Sequence, residues 1–584
     1  MTSTLRHHEK HELDPRRRRT GRLAVAALAT SAATALALAA SAATAQPAAP
    51  DATSDPAASL QIATVSAATP VQKQRLLATG LDVLDIETPQ AEVLLYGEAD
   101  RRRLERGGWR FDVEPAAGEL EELQGARAAE ARAQAALADN PSKASSLPTG
   151  RVSYRDLDTV NAELHDLAEQ HPEQVRLFEM PRTSLVGRPI YGVEIAGDVE
   201  AEDGDPVFLL TGVHHAREWP TLELTTEFAT EAVTSYGTDP ELTALMDSAR
   251  MIVVPVVNPD GYVISRGLIN EMKRKNCRVE PGIVPTWEEC VATTGDLGVD
   301  PNRNYGAFWG GPGSSVETSA GNHHGARPYS EPEIANMRDL LNSHQVTVAV
   351  NAHTPDARLL RAPSSPLEPV PADVEAYDGL AQELGSLLGW VAGPWPEVYY
   401  DASGTAEEHG LYVNGTFGFT PELMPGFDGL QRFHPPYEYV PQQYWGTGEY
   451  EGSSARATFL RAWQAAADPA LHSVVTGTAP AGIELTVRKD VTVESSPTPV
   501  ADGGTLESDH ELVSTLEVPR SGRFEWHLLP SLRQSQESST LLEESWTISC
   551  RNPAGKPVRS VQVTVARGES ADVDLSRCPR GPRG

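Results

Sequence analysis

The chain has little of several features that would point to particular classes of protein. It carries 49 Lys and Arg against 81 Asp and Glu, a formal net charge of −32, and so lacks the basic face that a nucleic-acid partner requires. Beyond the N-terminus no segment stays apolar for the roughly 18 residues of a membrane-spanning helix. The chain has only four cysteines, and none lies at the C-x₂₋₄-C spacing of a cysteine zinc site. From these absences we expect a protein that neither crosses a membrane nor binds nucleic acid.

The N-terminus is the exception to the shortage of apolar sequence. The arginine cluster Arg16–Arg19 precedes an alanine-rich apolar stretch, which ends in Ala43-Thr44-Ala45 before Gln46. This order is typical of a secretory signal peptide with an A-x-A cleavage site, so we predict that residues 1–45 are a signal peptide. The arginines suggest twin-arginine export, but the residues after them match that pattern poorly, and the export route stays open. We expect a secreted, extracellular protein.

The four cysteines fit an exported protein, since disulfides persist in oxidising compartments. By proximity they pair most simply as Cys277–Cys290 and Cys550–Cys578.

The length of 584 residues predicts more than one domain. Strand-like segments at residues 81–86 and 91–96 precede a charged helical run and indicate a small α/β domain, which we interpret as a prodomain. A charged, helix-favouring stretch at residues 119–139 is expected to be a solvated connector. Beyond residue 470, four segments alternate at period two and predict an antiparallel β-sandwich of about 110 residues. The predicted boundaries are signal peptide 1–45, prodomain 46–116, helical linker 117–150, central domain 151–466 and β-sandwich 470–584.

The central region contains buried strands that end in polar residues. Apolar runs at residues 207–210 and 346–352 predict two strands, with His215 after the first and His353 directly after the second. Residues 415–421 are also strand-like and lead into Glu422. Open α/β sheets bind ligands outside the carboxyl ends of their strands. We therefore expect these polar residues to cluster at one sheet edge.

Two of these residues belong to the segment His215-Ala216-Arg217-Glu218. If the chain turns there from a strand into a helix, a His and a Glu three residues apart face one point. A catalytic zinc usually takes three protein ligands and leaves the fourth position to water, and His353 is the expected third ligand. An isolated H-x-x-E is a weak signal. Together with His353 and Glu422 it is hard to obtain by chance.

Further motifs in the same order make the pattern specific. With Asp300–Tyr305, Tyr400–Gly404 and Pro421–Leu423 added, the chain resembles the zinc carboxypeptidases of the pancreatic carboxypeptidase A and B family over roughly residues 150–465. The interval of 22 residues between Tyr400 and Glu422 also matches. The resemblance implies an α/β fold with a mixed sheet and helices on both faces, joined here to the small prodomain and the all-β sandwich.

The resemblance implies a role for each residue around the metal. His215, Glu218 and His353 would hold one Zn²⁺. Asp300 would accept the second ring N–H of His215, which fixes its tautomer, although an N-cap or turn role is the alternative for this aspartate. Glu422 would be the general base that takes a proton from the attacking water.

The resemblance also implies how substrate is held. Asn302 and Arg303 would grip the free α-carboxylate, because a planar guanidinium pairs bidentately with a carboxylate. Tyr400 would close over the bound C-terminal residue, and Arg217 would contact the peptide further upstream.

Two family positions do not match cleanly. The arginine that stabilises the oxyanion falls on Cys277 when the stretch 272–278 is read without a gap, so we assign it to Arg278, on the condition that the loop is one residue longer. The tyrosine after the third ligand is replaced by Thr354-Pro355, where a cis peptide is inexpensive.

The residue seven positions after the closing tyrosine lies at the base of the family's side-chain pocket. Here it is Glu407, which would favour C-terminal Lys or Arg over apolar side chains. A slip of one residue would put Glu408 there, and a surface helix start is the alternative role for Glu407.

The sequence therefore indicates an exported zinc metallocarboxypeptidase acting on peptides or proteins with a free C-terminus. One alternative is a cell-wall enzyme that trims peptidoglycan stem peptides, which also end in a carboxylate. The other is a non-catalytic binding protein on the same fold, against which the retained Glu422 speaks. The oligomeric state, the natural substrate and the activating protease stay open.

Overall fold

A computed structural model describes residues 60–86, 89–292, 297–496, 504–551 and 556–579. The predicted signal peptide lies outside the described residues, as do the first residues of the predicted prodomain. None of the helices in the described part of the chain combines the length and apolarity needed to cross a membrane.

The N-terminal domain is a four-stranded antiparallel sheet with two helices, which confirms the small α/β domain. The strands lie in the order β2-β3-β1-β4. Leu76 of the first helix and Leu104 of the second are fully buried against the alternating apolar residues of β1 and β3. The elements are β1 (Gln61–Ser66), α1 (Pro70–Leu77), β2 (Asp82–Asp85), β3 (Gln90–Leu95), α2 (Glu98–Arg106) and β4 (Phe111–Pro115).

The connecting helix α3 (Ala117–Ala136) differs from the expectation of a solvated connector. Leu120, Leu123 and Arg127 are buried, and their spacing of three and four residues places them on one face. The Arg127 guanidinium donates to the carbonyls of His434 and Pro435 at 3.3 and 3.2 Å. The expectation was wrong because the many charges on the other faces conceal this narrow buried stripe.

The central domain is built on an eight-stranded mixed sheet in the order β11-β10-β12-β9-β7-β8-β6-β5. The inner strands β12, β9, β7 and β8 are parallel. Antiparallel pairs join β10 to β12, β6 to β8 and β5 to β6, whereas the edge strand β11 is parallel to β10. Its strands are β5 (Val175–Glu179), β6 (Tyr191–Ile195), β7 (Val207–Thr211), β8 (Arg250–Val254), β9 (Val346–Asn351), β10 (Arg358–Arg361), β11 (Val391–Pro394) and β12 (Phe417–Pro421).

Helices cover both faces of this sheet, as predicted. Phe208 and Leu210 of β7 belong to one apolar core with α5, α10 and α14, whereas Val207 and Leu209 belong to a second core with α9. The period of two along a doubly covered strand explains why β7 is apolar throughout. The helices are α4 (Leu157–Gln170), α5 (Trp219–Thr234), α6 (Pro240–Met246), α7 (Pro259–Arg266), α8 (Trp287–Ala292), α9 (Pro332–Ser343), α10 (Val374–Leu388), α11 (Trp395–Val398), α12 (Ala406–His409), α13 (Val440–Trp445) and α14 (Ala455–Ala467).

The C-terminal region is an all-β sandwich with one shared core, as predicted. A three-stranded sheet in the order β16-β13-β21 faces a four-stranded sheet in the order β15-β14-β19-β20. The pairing of β13 with β21 is parallel, so the sandwich is not purely antiparallel. Its strands are β13 (Ser473–Thr478), β14 (Glu484–Glu494), β15 (Glu507–Glu517), β16 (Arg523–Leu528), β17 (Leu532–Gln534), β18 (Leu541–Glu543), β19 (Trp546–Arg551), β20 (Pro557–Val563) and β21 (Ser570–Asp574).

Hydrogen bonds join the sandwich to the central domain. The Gln345 side chain accepts from the Leu529 amide at 2.8 Å and donates to Ser514 Oγ at 3.0 Å. The Phe308 amide donates to the Glu494 carbonyl at 3.1 Å, close to the end of β14. Both predicted disulfides, Cys277–Cys290 and Cys550–Cys578, are present.

Candidate active site

The segment between β7 and α5 makes a tight turn that presents two polar side chains. Val213 has a φ of 48°, in the left-handed region that a β-branched residue rarely adopts. Its amide donates to Thr221 Oγ1 at 2.9 Å, which ties the turn to the first turn of α5. Pro220 stands at the start of the helix, where its missing N–H costs nothing. The turn therefore holds His215 and Glu218 on the same side.

Three of the predicted side chains converge at the sheet edge. His215, Glu218 and His353 are all buried, and each offers a donor atom within 4.8 Å of the others. His215 Nδ1 lies 2.7 Å from Glu218 Oε1, and His353 Nδ1 lies 3.1 Å from Glu218 Oε2. His214 instead turns its Nε2 to the Tyr305 hydroxyl at 2.9 Å.

The donor set fits a zinc ion. Two imidazoles and one carboxylate are a common zinc ligand set, with the fourth position left open. The Nε2 atom of His215 contacts Asp300 Oδ1 at 3.0 Å, so the Nδ1 atom is left as the electron-pair donor that points to the cluster. The arrangement is therefore that of a metal site with its supporting carboxylate.

Asp300 connects the metal cluster to two other parts of the site. Besides His215, it accepts from Arg274 Nη2 at 2.8 Å and from the Asn302 amide at 2.9 Å. It is thus both the histidine partner and the cap of the turn Pro301–Arg303. Burial raises the pKa of Asp300, but the Arg274 guanidinium and His215 outweigh it and hold that pKa well below its usual range.

Glu422 lies beside the third histidine. The His353 amide donates to the Pro421 carbonyl at 3.0 Å, and the Leu423 amide donates to the His353 carbonyl at 2.7 Å. This parallel bridge fixes the two residues side by side. Burial, with the neighbouring carboxylates Glu218 and Asp356, raises the pKa of Glu422 well above its ordinary value. A divalent cation in the cluster would oppose this shift, because it favours the charged carboxylate.

The predicted carboxylate clamp is buried. Arg303 donates to the carbonyls of Asn302 and Gly313 at 2.7 and 3.1 Å, and neither contact neutralises its charge. Asn302 Oδ1 accepts from the Ala406 amide at 3.0 Å, while its buried Nδ2 has no partner in the part of the chain that the structure describes. The Tyr400 ring lies 6.0 Å from the guanidinium. The Nδ2 group of Asn302 and the positive charge of Arg303 are therefore available to bind a ligand.

The assignment of the oxyanion arginine to Arg278 disagrees with the structure. Arg278 pairs with Glu331 at 3.1 Å and donates to the Ile283 carbonyl at 2.5 Å, away from the metal cluster. Arg274 contacts Asp300 instead, with its Nη1 at 4.0 Å from Glu218 Oε1.

The chain path explains this correction. The Asn276 amide donates to the Val299 carbonyl at 3.0 Å, which aligns this segment with the approach to Asp300 and brings Arg274 beside it. Arg278 follows Cys277, which is held by its disulfide to Cys290, and pairs with Glu331. The sequence alone did not distinguish the two arginines, because which of them reaches Asp300 depends on this pairing of distant segments.

Glu407 is buried between two strands that end at the site. Its Oε1 accepts from Thr420 Oγ1 on β12, and its buried Oε2 has no hydrogen-bond partner among the described residues. Burial raises the pKa of Glu407 to about 7. Glu408, the alternative after a one-residue slip, instead accepts from the Thr405 amide at 2.8 Å within the capping box of α12. The surface role considered for Glu407 is wrong, because the side chain is 1% exposed.

Arg217 is occupied by the N-terminal domain. Its Nη1 and Nη2 contact both oxygens of Asp82 at 2.5 and 2.8 Å, and Asp82 also accepts from the Tyr96 hydroxyl at 2.9 Å. A cavity of about 70 Å³ lies under β2, bounded on its other side by Arg274, Arg303 and others. It has room for about five water molecules, too few for a peptide end.

Comparison with known proteins identifies this architecture. Residues 160–447 match the family described as Peptidase_M14, zinc carboxypeptidase. The chain carries a domain of the zinc carboxypeptidase family. Carboxypeptidase A2 of Rattus norvegicus is 30% identical over 278 residues, which are 46% of this chain and 62% of that protein. Carboxypeptidase A1 of Mus musculus is 30% identical over 296 residues, 50% of this chain and 66% of the relative. The matched region is thus under two thirds of each relative's length.

Solved structures share the zinc carboxypeptidase fold. The crystal structure of the carboxypeptidase A from Helicoverpa armigera matches with a TM-score of 0.56 at 23% identity, over 70% of this chain and 97% of that one. Thrombin activatable fibrinolysis inhibitor matches with a TM-score of 0.53 at 18% identity, over 70% of this chain and 99% of that one. Both likenesses concern the fold.

Proposed function

We propose that this protein is an exported, zinc-dependent carboxypeptidase that removes C-terminal residues from peptides or proteins. The proposal is carried by one observation: Glu422 lies beside His353, one of the three residues that form the His–Glu–His cluster. A general base next to a metal cluster is what hydrolysis of a peptide bond requires.

The residues around the cluster divide the reaction between them. Zinc held by His215, Glu218 and His353 would activate the attacking water and polarise the scissile carbonyl. Glu422 takes the proton of that water and passes it to the leaving nitrogen. The Arg274 guanidinium, held by Asp300, donates to the carbonyl oxygen as it gains charge. Arg274 thus takes the role first assigned to Arg278.

The clamp restricts cleavage to the end of a chain. Asn302 Nδ2 and the Arg303 guanidinium bind the terminal carboxylate, because a charged donor and a buried unpartnered amide both gain from it. Tyr400 covers the bound residue. The clamp therefore makes the enzyme an exopeptidase.

The pocket for the terminal side chain favours Lys or Arg. Glu407 Oε2 is buried and without a partner, so a cationic side chain gains an ion pair that Phe or Leu lack. Comparing kcat/KM on peptides ending in Arg, Lys, Phe and Leu tests this preference. Faster cleavage of Phe or Leu peptides would show that the base of the pocket lies elsewhere.

Export and latency belong to the same proposal. The apolar N-terminal stretch and the two disulfides support secretion. Strand β2 over the clamp supports the assignment of residues 46–116 as an inhibitory prodomain, with the catalytic domain at 151–466.

A digest of a mixed peptide pool tests the function as a whole. Mass spectrometry with and without a chelator should show loss of single C-terminal residues that stops when metal is removed. Cleavage within chains, or no cleavage by the chain nicked between residues 140 and 146, would contradict the proposal. Selective cleavage of peptidoglycan stem peptides would favour the cell-wall alternative.

A further inference from the structure

Strand β2 occupies a groove on the central domain with three of its four side chains. Asp82 pairs with Arg217, and Asp85 pairs with Arg432 at 3.1 Å. Between them, Leu84 is buried in an apolar cluster that includes Met272, Leu430 and Phe433. The groove therefore has an apolar site, which Leu84 fills, between two arginines.

A β-bulge allows this mode of contact. Residues three apart in a regular strand point to opposite faces of the sheet. Here Val83 pairs with Val93, but Asp85 pairs with Glu92, so Leu84 is an extra residue in the ladder. The bulge presents Asp82, Leu84 and Asp85 to the central domain together.

Both arginines of the groove are buried and need acidic partners. Arg217 and Arg432 are 1% and 7% exposed. Within the described residues, the carboxylate that pairs with Arg217 is Asp82, whereas Arg432 also contacts Asp356 of the central domain at 3.4 Å. A buried guanidinium without a counter-charge is costly. When β2 leaves, the groove keeps excess positive charge, most of it at Arg217.

The groove continues into the clamp. The cavity under β2 is bounded by residues 82–86 on one side and by Arg303 and Tyr400 on the other. A peptide that approaches from the side of β2, with its terminal carboxylate at Arg303, occupies the space that β2 fills. The residues upstream of its C-terminus then lie in the groove.

We infer that this groove selects substrates with two acidic residues around an apolar one, upstream of the C-terminal residue, and that β2 is an internal mimic of that sequence. The inference rests on the proposed carboxypeptidase function. The pocket around Glu407 selects the C-terminal residue that is released. The groove adds a second specificity, because it contacts residues that remain on the shortened peptide.

The test uses the zinc-loaded full chain nicked between residues 140 and 146. Ten-residue peptides ending in Arg carry the block Asp-Val-Leu-Asp at successive distances from the C-terminus, and matched peptides carry Asn-Val-Leu-Asn. At one block position kcat/KM should favour the acidic peptide by on the order of tenfold, the scale of a charged hydrogen bond. A ratio within about twofold at every position would overturn the inference.

A variant and its control localise the effect. Arg432→Gln should lower the ratio of acidic to neutral peptide several-fold, because one of the two cations is lost. Arg461→Gln on α14 removes the same charge from a surface pair with Glu383 of α10 and should leave the ratio unchanged. An equal fall in both variants would mean a general charge effect and would contradict the groove.

Binding separates this inference from the proposed function. In the nicked Glu422→Gln chain, fluorescence anisotropy measures peptide binding without turnover. Tighter binding of acidic peptides supports the groove even if the unmutated chain cleaves no peptide, which would defeat the proposed function alone. Equal binding with normal cleavage would overturn the groove alone.

A free peptide of residues 80–86 should inhibit cleavage competitively, and the same peptide with Asp82→Asn and Asp85→Asn should not.

Discussion

The N-terminal domain and the C-terminal sandwich hold the central domain in different ways. The first relies on carboxylates of β2 that pair with Arg217 and Arg432. The second combines an ion pair of Arg567 with Asp373 at 2.9 Å with main-chain and amide contacts, such as Phe308 with Glu494 and the Gln345 side chain with Leu529.

The difference shows which domain can leave. Carboxylates on a ligand can replace those of β2, so the arginines regain partners when the N-terminal domain departs. Loss of the sandwich would instead break its main-chain hydrogen bonds to the central domain. The N–H and C=O groups left behind would have no partner on a ligand and would need water to replace the lost bonds. We therefore propose that the N-terminal domain is a removable cover and that the sandwich supports the segment that follows the clamp.

The largest expected effect tests the integral role of the sandwich. Trp546 is fully buried, and its Nε1 donates to the Leu529 carbonyl at 2.7 Å, next to the Gln345 contact. Trp546→Ala should lower the free energy of unfolding by about 3–5 kcal/mol. Calorimetry should show one transition, shifted down as a whole. Val558→Ala, on a half-exposed side chain, should change it by less than about 0.5 kcal/mol. A separate unfolding transition for the sandwich would show that it folds independently and would contradict its role as a support of the central domain.

The clamp that the sandwich supports provides the next test. Amidating the C-terminus of a good substrate removes the carboxylate and leaves Arg303 buried without its charge partner. The activation free energy from kcat/KM should rise by about 3 kcal/mol or more. Blocking the N-terminus of the same peptide is the control and should have little effect. Equal cleavage of free and amidated peptides would indicate an endopeptidase.

Glu407 gives a pH test within the central domain, independent of either terminal domain. Its pKa rises from an ordinary 4.5 to about 7 on folding, so the folded state binds the extra proton. Its contribution to stability is complete below about pH 4.5 and is lost as the pH rises through about 7. Relative to the unmutated chain, Glu407→Gln should gain at most about 3 kcal/mol over this window. Denaturant unfolding at several pH values measures it, and a flat difference would contradict the buried carboxyl.

The smallest effect concerns the removable cover. Asp82→Asn removes the charge that pairs with Arg217 and should raise the activity of the unnicked chain by about tenfold. Asp112→Asn changes the same charge at an exposed position of β4 and is the control. Unchanged activity in Asp82→Asn, together with identical activity before and after nicking, would reduce the N-terminal domain to a folding element.

Prediction from the sequence worked best where a residue of the site directly follows a recognisable strand. The apolar runs before His215 and His353 form β7 and β9, since strands covered on both faces must be apolar throughout. Because the parallel strands end at one edge, the three ligand residues had to meet there. These features depend on short-range sequence and on a general rule for sheets.

The features that were missed depend on contacts between distant segments. The choice of Arg274 over Arg278 depends on how residues 274–276 lie against the segment before Asp300, which no spacing reveals. The buried face of α3 and the pairing of Asp82 with Arg217 depend on how separate domains dock. For α3, charge alone predicted solvent exposure, because the partners of its buried residues lie far away in the sequence.

The central claim is that Glu422 acts as a base beside a metal that other residues hold. The most direct test measures zinc content and turnover for Glu422→Gln and His215→Ala in the nicked chain. Glu422→Gln should keep one zinc per chain and lose about 10²–10⁴-fold in kcat, whereas His215→Ala should lose the metal. A Glu422→Gln protein with nearly normal kcat would contradict the account.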